Sequence, residues 1–109
     1  MDHNEFRNKL RNMDVLVVGM GKSGKAAIEA LLENGAKVYA QDSADASRMD
    51  KELLAHLERE GVETFFGIVP EDMSVFDMLV LSPGVPTDLA FIRAAEKAGA
   101  EIIGELELA

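Results

Sequence analysis

The chain reads as an α/β domain built on an open, parallel five-stranded sheet with helices on both faces, and three observations lead there. Short apolar runs, too brief for buried helices, alternate with longer segments whose apolar residues recur at helical spacing. The first run, ending at Val18, passes straight into three glycines, Gly19, Gly21 and Gly24, and then into a helical stretch, the order of a strand–turn–helix unit. Gly35, Gly61 and Gly99 each follow a helical segment, where glycine suits a helix stop.

Taken in order, Met1 to Met13 carries mixed charges and lacks the long apolar core of a signal peptide or membrane span. Within it Phe6 and Leu10, four apart, suit a short helical turn docked on the domain. Asp14 to Val18 forms the first strand, and Ala26 to Leu32 carries a helical apolar face that Glu33-Asn34-Gly35 stops. A second strand, Lys37 to Gln41, ends in Asp42, and Ser43 to Ser47 is a small, polar loop. Met49, Leu53, Leu54 and Leu57 mark one face of a helix over 49–60. Glu63 to Phe66 is a third strand, stopped by Gly67, and residues 68–73 form a polar connector with room for a helical turn. Phe76 to Leu81 is a fourth, buried strand, closed by Ser82-Pro83-Gly84-Val85-Pro86. Thr87 or Asp88 suits the cap of a helix through Phe91, Ile92, Ala95 and Ala98, and Glu101 to Ile103 is a fifth strand ending in Gly104. Glu105 to Ala109 has the pattern of the first turn and a half of a helix. So short a helix is marginal alone, and the expectation is that the chain is the front piece of something longer.

Ligands of parallel α/β sheets bind beyond the carboxyl ends of the strands, and here those ends carry Gly19 to Gly24, Asp42-Ser43, Gly67 and Ser82 to Pro86. The glycines match G-x-G-x-x-G, a pattern that answers three demands: a sharp turn, close backbone approach to a pyrophosphate, and tight helix-on-strand packing. Asp42 stands at roughly the spacing of a ribose-binding acid. A turn that served packing alone would carry the same glycines, but it would have no use for Lys22 and Lys25. Cations at a helix N-terminus oppose the macrodipole, and a bound anion reverses that sign. Gly19 to Lys25 also nearly spells a P-loop, yet Ala26 stands where Ser or Thr would hold magnesium, which excludes nucleotide hydrolysis at this loop. Ser23 reads as a helix N-cap, a phosphate contact, or both.

With 109 residues the chain makes one domain, small for an enzyme that must grip several substrates. A net charge of −9 argues against nucleic acid or an anionic membrane as partner, so an anionic ligand must be held by local donors. There is no cysteine, hence no disulfide and no thiolate metal site, which suits a reducing cytoplasm. His3 and His56 are far apart in sequence and read as solvated side chains.

Four stretches in this order are specific together: Val-Leu-Val-Val-Gly-Met-Gly-Lys-Ser-Gly (15–24), Asp42 at the end of the second strand, Leu-Ser-Pro-Gly-Val-Pro (81–86) and Gly-Glu-Leu-Glu-Leu (104–108). With them the chain resembles, from Asp14 onward, the N-terminal domain of the Mur ligases, in particular the type that adds D-glutamate. The resemblance implies a Rossmann-like domain over 1–109 that binds the uridine-diphosphate part of UDP-N-acetylmuramoyl-L-alanine. It implies that Gly21, Lys22, Ser23 and Gly24 approach the diphosphate, that Asp42 and Ser43 face the uracil, and that Ser82, Gly84 and Val85 border the sugar-peptide side. Uracil offers an N–H for a carboxylate and carbonyls for a hydroxyl or backbone amide. Some relatives carry a basic residue after the acid–hydroxyl pair; Ala44 stands there, which removes a cationic clamp on the base. The resemblance also implies a parent enzyme that activates the terminal carboxylate with ATP and Mg2+ as an acyl phosphate for attack by the amine of D-glutamate. That chemistry needs central and C-terminal domains, so no catalytic residue, metal ligand or cofactor is expected within these residues.

Two other readings use the same residues. A nicotinamide-dinucleotide domain of an oxidoreductase or regulator would employ Gly19, Gly21, Gly24 and Asp42 equally well, and composition does not exclude it. The two loop lysines and the Ser-Pro-Gly-Val-Pro stretch count against it. A phosphoacceptor receiver would end its third strand in an Asp, whereas this strand ends in Phe66-Gly67.

Overall fold

The computed structural model describes residues 3–104; the expected helix over 105–109 lies outside them. The elements are α1 (His3–Leu10), β1 (Asp14–Val18), α2 (Lys22–Glu33), β2 (Lys37–Asp42), α3 (Lys51–Arg59), β3 (Glu63–Phe66), β4 (Met78–Leu81), α4 (Ala90–Lys97) and β5 (Glu101–Gly104). Short 3-10 turns cover Ala46–Arg48 and Met73–Val75. All five strands are parallel in the order β3-β2-β1-β4-β5. The order reverses at β1, whose Val15 to Val18 pair with Val38 to Gln41 on one side and Met78 to Leu81 on the other.

Strand periodicity splits the interior into two layers, as a sheet buried on both faces requires. Val15, Val17, Val38, Ala40, Met78 and Val80 pack with Leu10 of α1, Ala27, Ile28 and Leu31 of α2, and Leu57 of α3. Leu16, Val18, Tyr39, Leu79 and Leu81 pack on the other face with Ile92 and Ala95 of α4 and with Met73 and Phe76. Helices on both faces follow from that alternation. In α2 the buried positions Gly24, Ala27, Ile28 and Leu31 form one helical stripe, and burying a side chain such as Leu31 contributes about 2 kcal/mol.

Four boundaries differ from the sequence expectation. Gly21, not Ser23, is the N-cap of α2, and no side chain caps that end. Ser23 is already in the first helical turn, because the chain must turn at Gly21 before the helix rises. Leu89, not Thr87 or Asp88, precedes α4, and again no side chain caps it. Asp50 caps α3 by accepting from the Glu52 N–H at 3.1 Å, so Met49 lies outside the helix while still packing on the core. Phe76 lies before β4, where its ring meets Tyr39 edge-on at 5.0 Å between centroids. The expected docking turn is present as α1, with Leu10 buried; the Phe6 side chain lies outside the described atoms.

Candidate functional site

The glycine loop is built in two halves. Gly19 leaves β1 with φ +99°, donates its N–H to the Gln41 carbonyl at 2.8 Å, and has the Ser82 side chain where a Cβ would stand. Gly24 lies in α2 directly against it: a Cβ on Gly24 would sit 1.9 Å from the Gly19 carbonyl oxygen. These two glycines let helix and strand touch. Gly21, between them, has nothing within 4 Å of a Cβ position and is exposed.

Beyond Gly21 the N–H groups of Lys22, Ser23 and Gly24 precede the first bond of the α2 ladder, from the Lys25 N–H to the Gly21 carbonyl. The first turn holds no acidic residue, and Lys22 and Lys25 are exposed and outside any ion pair among the described residues. Four cues for an anion therefore meet at one helix end: open backbone, free N–H groups, the dipole and two cations.

Two neighbours fix this loop. Asp42, ending β2, accepts from the Met20 N–H through one carboxylate oxygen and from the Ala44 N–H through the other, both at 2.8 Å. Ser82, following β4, donates its hydroxyl to the Gly19 carbonyl at 3.1 Å. Ser82 to Val85 then form a turn closed by the Val85 N–H on the Ser82 carbonyl at 3.2 Å, with Pro83 and a positive-φ Gly84 at its corners. That is the chemistry a type II turn selects. No peptide bond among the described residues is cis, Pro83 and Pro86 included.

A cleft of about 290 Å³ opens where these strand ends meet, lined by Val18, Gly19, Gln41, Asp42, Ser43, Gly84, Val85, Pro86, Leu89 and Phe91. It lies at the reversal of strand order, the place where open parallel sheets bind ligands. Of the sequence candidates it gathers Asp42, Ser43, Gly84 and Val85, while Gly21, Lys22, Ser23, Gly24 and Ser82 are not in its lining. Gln41 is the residue that sequence reasoning missed; inside an apolar strand it belongs to no motif, and its burial at 5% exposure is visible only in the fold. A larger groove of about 380 Å³ lies between α2 and α3, along Ile28, Leu53 and Leu57, with a Glu29–His56 pair at its edge. Size does not make it the site, because the motif residues converge on the carboxyl edge instead. Among the described residues no group of three or more His, Asp or Glu side chains is placed to hold a metal ion, and no helix is long and apolar enough to cross a membrane.

Among solved structures, a shikimate dehydrogenase from Aquifex aeolicus shares the fold at a TM-score of 0.58 and 18% identity, over 91% of this chain and 44% of that chain. A scyllo-inositol dehydrogenase from Lactobacillus casei does so at 0.55 and 20%, over 87% of this chain and 28% of that one. At such identities the likeness concerns the Rossmann-like fold alone. Two proteins named UDP-N-acetylmuramoylalanine--D-glutamate ligase are nearer in sequence. The one from Clostridioides difficile is 39% identical over 101 residues, 92% of this chain and 22% of the relative. The one from Lachnoclostridium phytofermentans is 42% identical over 98 residues, 87% of this chain and 21% of the relative. The chain thus spans about a fifth of the length of the curated relatives it matches. The family model described as Mur ligase MurD-like, N-terminal domain, matches residues 13–104, which includes both glycine turns and all five strands, and the chain belongs to that family.

Proposed function

We propose that this chain is the N-terminal substrate-binding domain of a ligase, and that it holds the uridine-diphosphate end of UDP-N-acetylmuramoyl-L-alanine. The observation that carries the reading is the convergence, on one sheet edge, of an uncapped α2 N-terminus open at Gly21 with a cleft bordered by Asp42, Ser43 and Gly84. The diphosphate takes the free N–H groups and lysines at the start of α2, where local donors outweigh a net charge of −9. The base enters the cleft beside Asp42 and Ser43, and Ser82, Gly84 and Val85 border the sugar.

The parent enzyme then joins D-glutamate to the bound substrate in the cytoplasm, with ATP and Mg2+ supplying activation of the terminal carboxylate. Support for this comes from the names of the relatives and from their length, of which this chain matches 22% in the Clostridioides difficile protein. Its own part is to bind and orient, since Ala26 replaces the magnesium-holding hydroxyl of a P-loop.

Calorimetric titration of the chain with UDP-N-acetylmuramoyl-L-alanine, UDP and NADH at low salt tests the reading. Heat with both uridine ligands and none with NADH is the expected result. Binding of NADH alone would assign the cleft to a dinucleotide, and silence from all three would remove this chain as a self-sufficient nucleotide binder.

A further inference from the structure

Gln41 is the one buried polar residue among the described core residues, at 5% exposure, and it lines the cleft. It shares the α4 face of β2 with Tyr39, two residues earlier, so its side chain rises from the sheet toward the wall made by Val85, Leu89 and Phe91. Its Nε2 donates to the Ile68 carbonyl at 3.1 Å. Only the amide nitrogen can donate, so this contact fixes which end of the amide is which: a flipped side chain would set two oxygens against each other. Oε1 accepts nothing from the described residues, and no buried side-chain oxygen or nitrogen there lacks a partner, so Oε1 is open to the cleft.

The neighbouring acceptor is differently placed. Both oxygens of Asp42 already hold backbone N–H groups, of Met20 and Ala44. The cleft therefore offers, in Gln41 Oε1, a carbonyl acceptor with no internal partner, held in one orientation and walled by apolar side chains; the Ser43 hydroxyl beside it turns to donate or accept and so does not discriminate between bases. We infer that Gln41 Oε1 accepts the imide N–H of a uracil ring and so selects uracil over cytosine at this site. Cytosine carries a bare ring nitrogen, an acceptor, where uracil carries that N–H, and Ile68 prevents the amide from turning to suit it. Asp42 is on this view a positioning residue, tying the glycine loop to the loop after β2.

The inference rests on the proposed uridine-nucleotide reading, and the test separates the two. Titrate UDP and CDP into the wild-type chain, Gln41→Met and Gln41→Glu, with circular dichroism to follow folding. The wild type should favour UDP over CDP by about tenfold or more, the cost of a buried acceptor left facing an acceptor. Gln41→Met should bring that ratio close to one. Gln41→Glu keeps an acceptor but loses the Ile68 bond; it should retain the preference, and its added charge acts on both diphosphates alike. If Gln41 served only to tie down Ile68, the Glu and Met variants would behave the same, which would overturn the inference. Equal binding of UDP and CDP by the wild type would overturn it without any variant and leave the uridine reading standing as a nucleotide site. Failure of UDP to bind the wild type would remove both.

Discussion

Gly19 and Gly24 form the root of the loop after β1, while Gly21 at that loop's tip and Gly84 in the turn after β4 form the rim of the carboxyl edge. At the root a Cβ would meet another atom within 3 Å; at the rim it would meet nothing within 4 Å. One motif therefore holds two kinds of glycine, one that lets α2 touch β1 and one that leaves backbone open for a ligand. Conflating them would assign the same consequence to every substitution.

The largest effect expected from that contrast is at the root. Gly24→Ala places a Cβ 1.9 Å from a backbone oxygen that cannot move without displacing β1, and it should cost more than about 4 kcal/mol, read as loss of cooperative unfolding. Gly19→Ala adds a strained φ to a contact with Ser82 and should cost about 2–4 kcal/mol in urea denaturation. Adding Ser82→Gly should recover part of that loss, by relieving the contact but not the strain. Asp42→Ala, which frees the Met20 and Ala44 N–H groups, should cost about 2 kcal/mol and weaken UDP binding together.

At the rim the two readouts separate. Gly21→Val, in open space with extended backbone, should change stability by less than about 1 kcal/mol yet abolish calorimetric heat with UDP. Unchanged binding by this variant would move the diphosphate away from α2.

The smallest effect lies at the opposite edge of the sheet. Burial pushes the Tyr39 phenol above its ordinary value of 10.0, and its hydrogen bond to Asp14 adds to the shift. The folded chain thus holds that proton more tightly than the unfolded one, so this stability is fully present below pH 10 and is lost as pH rises through the folded value. Tyr39→Phe should flatten the alkaline decline of the melting temperature, cost about 1 kcal/mol near neutrality, and leave UDP binding untouched.

The five strands and both core faces were legible in the sequence because the apolar runs along Val15 to Val18 and Met78 to Leu81 are a local signal. The helix starts were less so: Ser23 and Thr87 have capping chemistry, but the turns at Gly21 and Leu89 decide where each helix begins. The carboxyl edge could be found from its glycines, prolines and Asp42. The work of individual groups there could not. That Asp42 reaches Met20, 22 positions away, depends on β1 and β2 being neighbours. Gln41 looks like an interruption in an apolar strand until Ile68 is folded beside it.

On this account the carboxyl edge, not the larger groove between α2 and α3, receives the nucleotide. Amide-resolved NMR of the chain titrated with UDP tests that most directly. Shifts should concentrate at Gly21, Lys22, Ser43 and Gly84, with little change around Leu53 and Leu57. Shifts confined to Leu53, His56 and Leu57, with the glycine loop silent, would contradict it.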